Sequence, residues 1–258
     1  AYNEPQRTRG RFPSSPPIKS SSKRVYVSTQ ALFIKYLNSV HMNQNTQIFI
    51  EKLKLNPWVV GIILFWSWAR GNVRPGSDVD LVVILEEGYS RNVEKEGDQI
   101  FEIIYITAEA AFDFWNSHRD DAAWLWEVAK ILYDKNGNVN ILAEKIKTII
   151  LEGKRGFDDA KLGQLRFEAE DSLIYSEYIF PSDSTTAVML LTNNVAHLIE
   201  LFFDVRKMWT PAPKQRIRTI HSLRPELYLL IDKFYHGWWD FHERLSLVRK
   251  IISVVFEK

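Results

Sequence analysis

Three apolar runs rich in β-branched and aromatic residues, 58–65, 78–85 and 99–107, crowd together in the first half of the chain, and none like them occurs later. Short runs of this kind, bounded by turn residues, read as strands. Gly71, Pro75 and Gly76 mark the turn between the first two, and a polar stretch at 86–98 makes a hairpin-like connection to the third. Beyond Thr107 no further strand is expected. Apolar residues recur there every three to four positions through 108–133, 139–151, 158–179, 184–208 and 226–257, with Pro181, Pro211, Pro213 and Pro225 as punctuation. That is the period of amphipathic helices. Two helices are expected ahead of the strands: one capped by Ser28 and carrying Leu32, Phe33, Tyr36 and Leu37, the next capped by Asn45 and ended by Pro57. The fold class is therefore α+β: a small mixed-sheet domain over 25–135, then an all-helical bundle over 136–258.

Residues 1–24 stand apart as a flexible arm rich in proline and serine, with six basic residues against the single acid Glu4. Such a stretch buries too little apolar surface to offset its own ordering; a linker and a functional arm both fit it. The whole chain has 33 Lys+Arg and 32 Asp+Glu. A strongly basic nucleic-acid binder is thus disfavoured, and the body beyond the arm is net negative. The absence of cysteine removes disulfides, thiolate zinc sites and cysteine nucleophiles, so a metal would be held by oxygen or imidazole. The longest nearly apolar run, 58–66, is too short to span a bilayer, and 1–22 lacks the apolar region of a signal peptide. The expectation is a cytoplasmic protein with no membrane partner.

The chemistry concentrates in 58–107. On a strand, residues two apart share a face, about 6.5–7 Å apart, so Asp78 and Asp80 point together. Two such carboxylates repel unless a cation lies between them. Oxygen ligands of this type suit Mg²⁺, and a bridging carboxylate can reach two ions. In the third run, Ile100, Glu102, Ile104 and Ile106 share a face that is apolar except for Glu102. Buried there alone, Glu102 would be costly; it needs a cation, a partner or solvent. If its strand lies beside 78–85, it completes a three-carboxylate cluster. Ser67, where strand gives way to turn, can hold phosphate oxygens together with nearby backbone N–H groups, and Arg70 can add a fork of donors.

Leu64-Phe65-Trp66-Ser67-Trp68-Ala69-Arg70-Gly71, followed by Ser77-Asp78-Val79-Asp80-Leu81, resembles the signature of the DNA polymerase β-like nucleotidyltransferase superfamily. Within it, the minimal and the aminoglycoside (antibiotic) nucleotidyltransferases are most similar. Phe101-Glu102-Ile103-Ile104-Tyr105-Ile106-Thr107-Ala108-Glu109 resembles their third-carboxylate strand, and Ile131-Leu132-Tyr133-Asp134 a segment common downstream. The resemblance implies transfer of a nucleoside monophosphate from a nucleoside triphosphate, with ATP the expected donor, to an acceptor hydroxyl. Asp78, Asp80 and Glu102 would be catalytic and hold two Mg²⁺ ions; Ser67, Arg70, Ser77 and Lys214 would bind nucleotide. The family usually has Gly-Ser where this chain has Trp66-Ser67. A tryptophan there either crowds the phosphates or turns into the core.

Trp209-Thr210-Pro211-Ala212-Pro213-Lys214 lies between the pairs Arg206, Lys207 and Arg216, Arg218, a basic cluster around a proline-stiffened turn. It can grip a triphosphate or merely form a solvated helix start. Glu168, Glu170 and Asp171 are weaker candidates for a general base on a helix of the second domain. Asn193, Asn194 and His197 either bond a base or ribose or are satisfied helix-edge groups. The negative body favours a small, aminoglycoside-like acceptor. A toxin-like enzyme modifying tRNA or protein, and a silent binding module of the same fold, are the alternatives; a homodimer is left open.

Overall fold

In the computed structural model the residues described are 42–71, 73–237 and 240–257. The expected arm, the helix after Ser28, and Trp238 and Trp239 lie outside them. One sheet organises the first half of this region. Its strands β1 (Val59–Leu64), β2 (Val79–Leu85), β3 (Ser90–Glu96), β4 (Gln99–Thr107) and β5 (Lys130–Asp134) lie side by side in the order β3-β4-β2-β1-β5. β2 and β4 run parallel; the other neighbouring pairs are antiparallel. β1 is buried at every position, as its unbroken apolar run requires of a strand covered on both faces.

Two of the five strands depart from expectation. The connection 86–98 contains β3, and 108–133 is not helical throughout but ends in β5. Both are edge strands. β3 is charged and largely exposed, which keeps an open edge from pairing with other chains. Its pairing comes from β4 across a tight turn at Gly97, where φ is 58°. β5 has five residues and takes its strand form from β1. Neither sequence carries the apolar run by which β1, β2 and β4 are read.

Alternation of side chains splits the core in two. Val59, Ile62, Leu64, Val79, Leu81, Val83, Phe101 and Ile103 pack with α1 (Gln44–Lys54) and α2 (Trp66–Arg70). Val82, Ile84 and Ile106 face α3 (Ala108–Ser117), α4 (Arg119–Trp126) and α5 (Asn138–Leu151). The cap of α1 is Asn43 rather than Asn45, and the helix ends at Lys54, before Pro57. A separate helical core comes next, built by α6 (Asp159–Ile179), α7 (Ser184–Val205), α8 (Pro213–Leu223), α9 (Pro225–His236) and α10 (Phe241–Phe256). Pro213 and Pro225 open α8 and α9, where a missing N–H costs nothing. Among the described residues α7 is long and apolar enough to cross a membrane by length and composition; half of that stretch is buried in the helical core.

Candidate active site

Asp80 is the second residue of β2 and stands in parallel register with Glu102 of β4. Asp78 lies just ahead of β2, two residues from Asp80, so the strand pleat turns both to one side. A carboxylate oxygen from each of Asp78, Asp80 and Glu102 lies within 4.8 Å of the others. The cluster sits on the face that carries Val82, Ile84 and Ile106, at the end of the sheet where that face passes from apolar to acidic.

All three are half-buried. Burial, followed by the charges of Asp78 and Glu102, raises the pKa of Asp80 from 3.8 to about 7, against the opposing charge of Lys214. Three hard oxygen donors held against their mutual repulsion suit a divalent cation such as Mg²⁺. Glu102 is the more open group, with its side chain 43% exposed and Arg91 of β3 at 3.7 Å.

The turn before Asp78 is braced by a residue that sequence reasoning missed. Gln99 Nε2 donates to the Ser77 carbonyl at 2.8 Å, and Asn43 Nδ2 donates to Gln99 Oε1 at 3.1 Å. Asn43 also caps α1, accepting the Thr46 N–H at 2.8 Å. Gln99 shares a strand face with Phe101 and Ile103 and is itself buried. A lone amide on an inward apolar face was the available signal. Ser77 Oγ accepts the Arg74 N–H at 3.1 Å and closes the same turn.

The segment after β1 runs beside the cluster, the Phe65 N–H donating to the Asp80 carbonyl at 3.1 Å. Trp66 then takes a left-handed conformation, φ 58°, in which glycine is the residue of least cost. Its ring does not enter the core: it stays 39% exposed and meets Trp124 of α4 edge-on at 4.6 Å. Ser67 and Arg70 are half-buried, and Arg70 forms no ion pair with a described carboxylate.

The basic cluster divides. Arg206 donates to the carbonyls of Phe202, Val254, Val255 and Glu257, closing the ends of α7 and α10. Arg216 is held by Glu200 at 2.5 Å and by the Pro211 carbonyl. Lys214 and Arg218 remain exposed on α8, and Lys214 is near enough for its charge to act on Asp80. Glu168, Glu170 and Asp171 lie on α6: Glu168 accepts from Gln164, Glu170 pairs with Arg166, and Asp171 is exposed. Asn194 is a satisfied core amide bonded to the Ala169 carbonyl at 2.8 Å, while Asn193 and His197 are exposed.

A mixed sheet thus presents Asp80 of one strand, Asp78 just ahead of it and Glu102 of its parallel neighbour as a carboxylate cluster able to hold a divalent ion. Residues 47–135 match the family described as "Nucleotidyltransferase domain". No curated protein matches the chain. Among solved structures it is similar to a nucleotidyltransferase-like protein from Exiguobacterium sibiricum 255-15, with 13% identity and a TM-score of 0.49, over 83% of this chain and 73% of that one.

Proposed function

We propose that the protein moves a nucleoside monophosphate from a nucleoside triphosphate to an acceptor hydroxyl. The acceptor oxygen bonds to the α-phosphorus, the bond to pyrophosphate breaks, and the hydroxyl proton passes to a carboxylate. The observation that carries this reading is the register of Asp80 with Glu102 beside Asp78 within the matched domain. Asp78, Asp80 and Glu102 would hold Mg²⁺, two ions in the full form of the proposal. Bound there, the metal neutralises phosphate charge. Glu102, the more open carboxylate, orients the acceptor hydroxyl and takes its proton. Ser67 and Arg70 serve the triphosphate from one side and Lys214 from α8, and positioning supplies much of the rate. ATP is the proposed donor and the cytoplasm the proposed place of work.

Two acceptor classes divide the proposal. The net negative body favours a small cationic acceptor of the aminoglycoside kind. Charge close to the triad runs the other way: Arg91 and Lys95 of β3 share the face of Glu102, and Lys214 and Arg218 stand on α8. That local balance favours a tRNA-like, phosphate-bearing acceptor. The test incubates the protein with Mg²⁺, each α-labelled triphosphate, and either aminoglycosides or tRNA. Label should enter one acceptor class and be lost in Asp80→Asn. Calorimetry showing no Mg²⁺-dependent triphosphate binding would sink the enzyme reading and leave a silent module.

A further inference from the structure

Lys154, in the irregular segment between α5 and α6, has a side chain only 12% exposed. Its ammonium donates to both oxygens of Asp120 on α4, at 2.8 and 2.7 Å, and to the Thr210 hydroxyl at 3.2 Å. It also pairs with Asp204 near the end of α7. Asp120 Oδ1 in turn accepts the Thr210 N–H at 2.8 Å. The connection from α7 to α8 meets the end of α5 and the segment after it at two further points. The Trp209 indole donates to the Ile150 carbonyl at 3.3 Å. Lys207, with φ 55°, lies over Gly156, where an added Cβ would come within 2.3 Å of Lys207 Cε.

These contacts pin the chain at Thr210, which is buried, and Pro211 and Pro213 stiffen the entry into α8. Arg216 ties the first turn of α8 back to the Pro211 carbonyl. Lys214, between these anchors, therefore has little freedom of backbone placement. Lys154 is shared by two carboxylates, and without it Asp120 and Asp204 would repel across the junction.

We propose that Lys154 is a positioning residue for nucleotide binding: by gathering Asp120, Asp204 and Thr210 it fixes the 209–214 turn and with it the backbone position of Lys214. This rests on the reading of the triad as a nucleotide site. Lys154 touches no substrate; it acts through Lys214.

The experiment compares wild type, Lys154→Met, Lys214→Met, the double variant and Lys154→Arg. Calorimetry with Mg²⁺ and a non-hydrolysable ATP analogue gives Kd. Each single methionine variant should weaken binding on the order of tenfold or more, Lys154→Arg should recover part of the loss, and the double variant should bind no worse than Lys214→Met. Hydrogen exchange without nucleotide should quicken at 209–216 in Lys154→Met and stay unchanged in β2, β4 and α10. Single-variant losses that add, or exchange that quickens throughout the helical region, overturn the proposal in favour of a purely structural role. A wild-type protein that binds no nucleotide overturns the reading of the site. A wild type that binds, with Lys154→Met binding equally well, overturns this inference alone.

Discussion

Asp80 of β2 and Glu102 of β4 are direct partners in a parallel register, so their side chains leave the sheet on the same face, with Asp78 two residues away. Catalysis and stability should therefore respond to Asp80→Asn in opposite directions. The proposed nucleotidyl transfer should fall by roughly 10²-fold or more, because an amide is a poorer ligand for the Mg²⁺ that would neutralise phosphate charge. The metal-free protein should melt at a higher temperature, because a half-buried charge facing two others is removed. Glu102→Gln should lose comparable activity with a smaller rise in melting temperature, its side chain being more open. Initial rates and thermal melts in EDTA check both signs.

Asp80 also sets a pH dependence. Its pKa is 3.8 as an ordinary carboxyl and about 7 when folded, raised first by burial and then by Asp78 and Glu102. Between those values the folded protein keeps a proton that the unfolded chain has released. The stability from this group is complete below the unfolded value and is lost as pH rises through about 7. In EDTA, wild type should lose more stability than Asp80→Asn between about pH 5.5 and pH 8, as urea titrations will show. A divalent ion competes with that proton, so apparent Mg²⁺ affinity should climb over the same interval.

Trp66 is left-handed, which costs a non-glycine residue about 1–2 kcal/mol. Its ring recovers stability against Trp124. Both Trp66→Gly and Trp66→Ala lose that contact, but only alanine keeps the backbone strain. The glycine variant should therefore be the more stable of the two, by about 1 kcal/mol, reversing the usual order. Denaturant midpoints decide the matter, and an alanine variant at least as stable as the glycine one would contradict a left-handed residue 66.

Much of this site was legible because its signals are local. Asp78 and Asp80 two apart, and Glu102 alone on an apolar strand face, are period-two patterns that any pleated strand displays. β1, β2 and β4 announce themselves by apolar content. β3 and β5 do not, since an edge strand faces water and borrows its form from a neighbour. Long-range pairing hides in the same way. The Arg206 partners at Val254 and Val255, the Arg216 partner Glu200, and the meeting of Lys154 with Asp120, Asp204 and Thr210 join residues far apart in the chain. Among the cations around the 209–214 turn, only the folded chain separates the exposed Lys214, whose charge reaches Asp80, from Arg206, committed to the ends of α7 and α10.

Gly61 offers a last test, of how α5 is seated on the sheet. It lies in β1 between partners Ile84 and Asp134, and an added Cβ would come within 2.0 Å of Val139 Cγ2. Val139 cannot easily retreat. The Asp134 carboxylate accepts the N–H groups of Val139 and Asn140 at 3.2 and 3.0 Å, tying the first turn of α5 to the end of β5. Gly61→Ala should therefore destabilise the fold by about 1–3 kcal/mol through overpacking, although alanine normally suits a strand better than glycine. Trimming the opposing side chain in Gly61→Ala/Val139→Ala should restore part of that loss, giving non-additive effects for two residues in contact. Chemical denaturation of both single variants and the double variant measures the coupling; additive losses would mean that the two residues do not press on each other.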